Sequence, residues 1–182
     1  MEATAQLLKQ KPYSDVRITD VARGAEIAQP NFYTYFASLE DVIVALAEEV
    51  STSPLARFIA LREEGKDWAA AMVETAIPIW REHRTLFAII GLLADKQHGD
   101  FPRLRVQQTR DVCKAFEGLI RRAQEDGELP LSIKPRLGSY LCLGVLSSTC
   151  DRYDLWTASG FTHEDMVETT ASMLRILATG RG

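Results

Sequence analysis

Apolar residues recur at helical spacing through nearly the whole chain, and no segment alternates with the period of two that a half-buried strand requires. Between residues 18 and 36, Ile18, Val21, Ala22 and Ala25 repeat every three or four positions, Ile27 falls in a break, and Phe32 and Phe36 resume the spacing. This pattern predicts two short helices joined by a tight turn, the second opening Ala28-Gln29-Pro30-Asn31. With the apolar anchors turned inward, Gln29, Asn31, Tyr33 and Thr34 point outward. Amide, phenol and hydroxyl groups in a row on a short helix match base edges and phosphate oxygens of DNA.

Downstream the pattern stays helical. Leu39, Val42, Ile43, Leu46 and Val50 form one stripe, Ser51 to Pro54 interrupts it, and Leu55, Phe58 and Ile59 continue as far as Glu63-Glu64-Gly65. A helix is predicted over Asp67 to His83, with Trp68, Met72, Ala76 and Ile79 inward and Pro78 removing one backbone donor. The run Leu86 to Ala94 reads as a separate, buried helix, followed by a polar loop that ends at Phe101-Pro102. A long helix then carries Thr109, Val112, Cys113, Phe116, Leu119, Ile120 and Ala123 on one face and stops at Gly127. Lys134-Pro135 opens another, to about Cys150, with Leu137, Leu141, Val145 and Ser148 in line beside Gly138, Gly144 and Ser147. The last, about His163 to Ala178, carries Met166, Thr170, Met173, Leu174 and Leu177. The fold class is all-α.

A chain of 182 residues with 46% hydrophobic content can bury one large core, or a small and a medium one. Its longest apolar run is far below the roughly 20 residues of a membrane span. No basic segment followed by an apolar core and cleavage site opens the chain, so nothing marks it for export, and no membrane partner is expected. Cys113, Cys142 and Cys150 are odd in number and lie in helical patterns, which suits reduced thiols in a cytoplasm.

The formal net charge is −4, unusual for a nucleic-acid binder, so its distribution matters. From Lys9 to Phe36 four basic residues (Lys9, Lys11, Arg17, Arg23) face three acidic ones (Asp15, Asp20, Glu26). Such a barely positive surface implies modest non-specific affinity and a shallow salt dependence. Metal and cofactor chemistry find no support: His83, His98 and His163 are scattered, and there is no Glu-x-x-His, Cys-x-x-Cys or Gly-rich phosphate loop. Glu63 and Glu64 are adjacent and so do not share a helix face as an acid/base pair would. No cofactor is expected, and no enzyme.

The stretch Asp20-Val21-Ala22, the turn, Asn31-Phe32-Tyr33-Thr34-Tyr35-Phe36 and Ser38-Leu39-Glu40-Asp41-Val42 resembles the tetracycline repressor (TetR) family of bacterial transcription factors. The likeness begins at Glu2 to Lys9 and Pro12-Tyr13, and covers about a quarter of the chain. Three positions depart from the family pattern: Glu26 stands where Gly is usual, Ala28 where a capping Ser or Thr is usual, and Leu39 where Lys is frequent. The resemblance implies a three-helix DNA-binding domain over residues 1–38, helix 4 (about 39–53) as connector, and a ligand-binding and dimerisation domain over 39–182. It implies that Gln29 and Asn31 read base edges, Pro30 presses on a thymine methyl, Tyr33, Thr34 and Tyr35 hold phosphates, and Arg17 and Thr19 add contacts.

The resemblance also gives two sets of larger residues a meaning beyond core packing. Phe58, Trp68, Met72, Trp80, Phe87, Phe116 and Tyr140, with Trp156, suit either an ordinary core or a largely apolar pocket for a small-molecule effector, with His83, Arg84, Thr75 and Gln108 supplying polarity. Leu137, Leu141, Val145, Ser148, Met166, Thr170, Met173 and Leu177 suit either the protein's own core or a four-helix interface with a second copy. The expectation is a dimeric, ligand-responsive repressor of a palindromic operator. Its alternatives are a ligand-binding relative with weakened or lost DNA binding, and a small helical enzyme.

Overall fold

The computed structural model describes residues 1–50 and 67–181. Among the described residues every regular element is helical: α1 (Glu2–Gln10), a short 3-10 turn (Tyr13–Asp15), α2 (Ile18–Gly24), α3 (Gln29–Phe32), α4 (Leu39–Glu49), α5 (Trp68–Asp95), α6 (Phe101–Glu125), α7 (Pro135–Asp151), α8 (Tyr153–Ala158) and α9 (His163–Thr179). They divide into two compact units, one of residues 1–50 and 83–108, the other of 67–82 and 109–181. The chain passes between the units within α5 and again within α6.

In the first unit, Leu8, Val16, Val21 and Phe32 pack with Val42, Ile43 and Leu46 of α4 and with Ile89, Ile90, Leu93, Phe101 and Leu104. The stripe expected on α4 is therefore a core face, and Leu39, at the place of a frequent Lys, is buried within it. Helix α4 begins where it does because Ser38 and Asp41 cap each other: the Asp41 amide donates to Ser38 Oγ (3.2 Å) and the Ser38 amide to Asp41 Oδ2 (3.0 Å). The unit that holds the paired short helices thus extends past residue 38 and takes in α4.

The second unit is built on Trp68, Met72, Val73 and Ala76 of α5, the stripe Val112, Phe116, Leu119, Ile120 and Ala123 of α6, and the inner faces of α7 and α9. The rings of Trp68 and Phe116 meet edge to face at 6.3 Å. Gly138 lets α7 approach α6 closely: a Cβ there would sit 2.8 Å from Ile120 Cδ1. Gly127, at φ 76°, ends α6 as expected, its amide donating to the Gln124 carbonyl while Glu128 reaches back to Ala123.

Three features differ from the periodicity. The helix beginning at Trp68 does not stop at His83 but runs 28 residues to Asp95, continuing through Pro78. The run Leu86 to Ala94 is its second half and is buried on one face only, with Ala88 and Leu92 exposed. Helix α8 was not legible, because six residues containing only Leu155 and Trp156 as large apolar groups set up no period. The expected break at Ser51 to Pro54 and the stripe Leu55, Phe58, Ile59 and Glu63-Glu64-Gly65 lie outside the described residues.

Candidate nucleic-acid interface

Helices α2 and α3 are joined by a turn that closes on itself. The Ile27 amide donates to the Ala22 carbonyl (3.0 Å) and the Glu26 amide to Arg23 (3.1 Å), which forces Glu26 to φ 56°. A non-glycine residue in this left-handed region costs about 1 kcal/mol, because its Cβ crowds the following carbonyl. Helix α3 then starts without a side-chain cap, since Ala28 has nothing to offer the exposed amides. Pro30 lies in the first turn, where its fixed φ suits the helix and its missing N–H is not needed.

What holds this four-residue helix is packing. Phe32 is buried against Phe36 (centroids 5.9 Å) and meets Tyr33 edge-on at 5.6 Å. With Phe32 inward, Gln29, Pro30, Asn31, Tyr33, Thr34 and Tyr35 are all exposed, Tyr35 to 75%. Arg17 and Thr19 at the head of α2 are exposed as well, and the Arg17 amide is held by Asp20 Oδ2 at 3.3 Å. One expected anchor is not an anchor: Ala25 is exposed, as is Ile27 in the turn, because the turn carries both out of the core.

The electrostatics of this surface are weaker than its residue count. Lys11 is bound to Asp20 Oδ2, a bond that, with the Arg17 amide, holds the Asp20 carboxyl below its ordinary range. One cation of the four is thereby engaged inside the protein. Tyr13 donates to Glu40 Oε1 at 2.9 Å, and burial, followed by the neighbouring carboxylate, raises the phenol's pKa. This bond ties the exit of α1 to the first turn of α4.

The aromatic and methionine candidates do not form one group. Trp68, Met72, Trp80 and Phe116 are buried in the second unit, Phe87 is half-buried in the first beside His83 (6.2 Å), and Phe58 lies outside the described residues. Tyr140 is exposed on the outer side of α7, in line with Leu137 and Leu141. Among the polar candidates, Gln108 donates through Nε2 to the Ala47 carbonyl at 3.0 Å, and Thr75 and His83 are half-buried while Arg84 is exposed.

The two last long helices expose an apolar face. Leu137 (60% exposed), Leu141 (59%) and Met173 (43%) stand in solvent, and Val145, Ser148 and Leu177 are partly exposed. Met166 and Thr170 instead turn into the protomer, where Thr170 Oγ1 meets Thr149 Oγ1 at 2.8 Å. Between α7 and α9 runs an open groove of about 610 Å³ with Gly144, Val145 and Met166 among its lining, and Trp156 and Phe161 join its wall. A Cβ on Gly144 would meet nothing within 4 Å. Phe161 carried no periodic signal, because it stands alone in the link between α8 and α9.

Residues 1–46 match the family model described as bacterial regulatory proteins, tetR family. The chain is similar to the fatty acid metabolism regulator protein of Bacillus subtilis, 22% identical over 99% of this chain and 92% of that protein. Its N-terminal part is 45% identical to the transcriptional regulator EthR of Mycobacterium tuberculosis over 49 residues, 26% of this chain and 23% of that protein. Among solved structures, a TetR-family regulator from Syntrophomonas wolfei superposes with TM-score 0.69 at 17% identity, covering 98% of this chain and 92% of the other. The Bacillus subtilis regulator FadR, solved in complex with stearoyl-CoA, superposes with TM-score 0.62 at 18% identity, covering 100% and 97%.

Proposed function

We propose that this chain, whose residues 1–46 match the tetR family model, is a transcriptional regulator and not an enzyme, and that it acts as a dimeric, ligand-responsive repressor of a palindromic operator. The observation that carries this reading is the face of α3. Phe32 is committed to the core while Gln29, Pro30, Asn31, Tyr33, Thr34 and Tyr35 are all exposed. Gln29 and Asn31 are suited to bidentate bonds with base edges, Pro30 to a thymine methyl, and Tyr33, Thr34, Tyr35, Arg17 and Thr19 to the backbone or flanking bases. Residues 1–38 serve as the reading head, α4 as connector backed by residues 83–108 of the same unit, and the second unit as the effector and assembly domain.

A reading helix of four residues on a barely positive surface buries too little to hold DNA alone. Two heads on a two-fold axis supply both affinity and half-site spacing. The exposed Leu137, Leu141 and Met173 support pairing through α7 and α9, since burying each side chain contributes about 1.5 to 3 kcal/mol. For the effector, the likeness to the Bacillus subtilis fatty acid regulator along nearly the whole chain favours a long acyl group carried as a thioester. The apolar interior around Trp68, Met72, Trp80 and Phe116 is chemically suited to such a chain. The effector acts by preferring one separation of the two heads over another.

In vitro selection of DNA by the purified protein is the test. A palindromic product, released from the protein by long-chain acyl-CoA and not by free CoA, is the expected result. Recovery of no enriched sequence would favour the second reading, a relative with weakened operator binding. That reading has its own support in the strained Glu26, the uncapped α3 and the engagement of Lys11 by Asp20.

A further inference from the structure

On the surface of the second unit, three side chains from three helices form one hydrogen-bonded row. Glu74 Oε2 of α5 lies 2.9 Å from His163 Nε2, the first residue of α9, and His163 Nδ1 lies 3.0 Å from the hydroxyl of Tyr153, the first residue of α8. A carboxylate only accepts, so Nε2 carries the imidazole proton. Nδ1 and the Tyr153 hydroxyl complete the row, with the donor between them set by the tautomer of the ring. Arg81 of α5 lies over the Tyr153 ring at 4.9 Å, with its Nη2 3.4 Å from Asp154 Oδ1. The nearby Asp165 is already engaged, accepting from the Thr162 amide and hydroxyl.

The position of this row gives it a consequence. Tyr153 and His163 are the two ends of the excursion that carries Trp156 and Phe161 to the wall of the groove between α7 and α9. Inside the excursion the bonds are its own: Phe161 donates to Trp156, Thr157 Oγ1 to Tyr153 and Ser159 Oγ to Leu155. It is a self-bonded piece whose setting against α5 depends on how its ends are fixed. We infer that Glu74, His163 and Tyr153 form a clasp that fixes the aromatic wall of the groove, and so governs how tightly a second copy of the chain docks there. The inference rests on the proposed dimer. Fixing the wall before association lowers the ordering cost of docking.

The clasp can be opened one bond at a time. In His163→Gln the amide takes the place of Nε2 and keeps the Glu74 bond while losing Tyr153, and Tyr153→Phe removes the same bond from the other side while keeping the ring over Arg81. Each variant should weaken dimerisation, followed by sedimentation equilibrium of the full chain, by about three- to tenfold, and the double variant should be no weaker than either single one. Iodide quenching adds a local readout: Trp68 and Trp80 are buried and Trp156 is partly exposed, so quenching should rise in the variants as Trp156 is released. Additive losses, or Tyr153→Phe dimers as tight as the parent, would overturn the clasp and leave the dimer standing. A parent chain that stays monomeric would overturn the dimer itself.

Discussion

Helices α3 and α7 each turn one row of side chains away from the protein, and the rows differ in kind. On α3 the outward groups are amide, phenol and hydroxyl, and the helix is short, uncapped and preceded by a strained residue. On α7 the outward groups are leucines on a helix of 17 residues whose other face is fully buried. As the proposed reading surface, the first offers specificity without much grip. The second has apolar area without chemical identity. A regulator needs both, and in the proposed dimer affinity for the operator would come through α7 while choice of operator would come through α3.

The comparison breaks most sharply at Leu141. In the proposed dimer Leu141→Glu would set two like charges near the two-fold axis, and burying them unpaired costs several kcal/mol. The dimer should weaken at least about 100-fold by sedimentation, and operator binding should fall with it while each α3 stays intact. On the other row, Asn31→Ala should cost about 1 to 3 kcal/mol on the preferred site and relax one base position in a selection experiment. Equal loss on every sequence would show that Asn31 holds the backbone instead.

The inner face of α7 has a signature of its own. Burial pushes the thiols of Cys142 and Cys150 up to about 12, against about 8.5 in an unfolded chain. A group whose pKa is raised by folding stabilises the native state fully below the unfolded value. That contribution is lost as pH rises from about 8.5 towards 12, at about 1.4 kcal/mol per pH unit for each thiol. Urea midpoints measured from pH 8 to 10 should fall accordingly, and Cys142→Ala with Cys150→Ala should flatten the slope. The smallest effect belongs to α3. Ala28→Ser restores a cap worth about 1 kcal/mol, visible as a higher melting temperature and stronger binding to specific and non-specific DNA alike.

The helix-turn-helix was legible because its anchors and its reading groups alternate within one short stretch, so Phe32 and Phe36 predict where Asn31 and Tyr33 go. The left-handed Glu26 was legible only against the family pattern, where Gly is usual at a turn position that favours positive φ. The outer face of α7 was half legible: the stripe Leu137, Leu141, Val145, Ser148 is visible in the sequence, but periodicity does not say which side of a helix meets water. Met166 and Thr170 share a stripe with Met173 yet point inward, because the buried arc of α9 is wider than one row. The row Glu74, His163, Tyr153 was illegible, as its outer members lie 79 residues apart in a chain whose local pattern marks none of them.

Two glycines of α7 carry opposite lessons for sequence variation. At residue 138 a Cβ would sit 2.8 Å from Ile120 Cδ1 of the same chain, so a side chain there requires Ile120 to shift whatever the assembly state. At residue 144 an added Cβ meets nothing within 4 Å, so alanine is accommodated without displacing a neighbour. A restriction on alanine at 144 in a saturation screen in cells would therefore point to another molecule. The position therefore serves as an internal reporter of self-association, readable by counting surviving variants without purifying the protein.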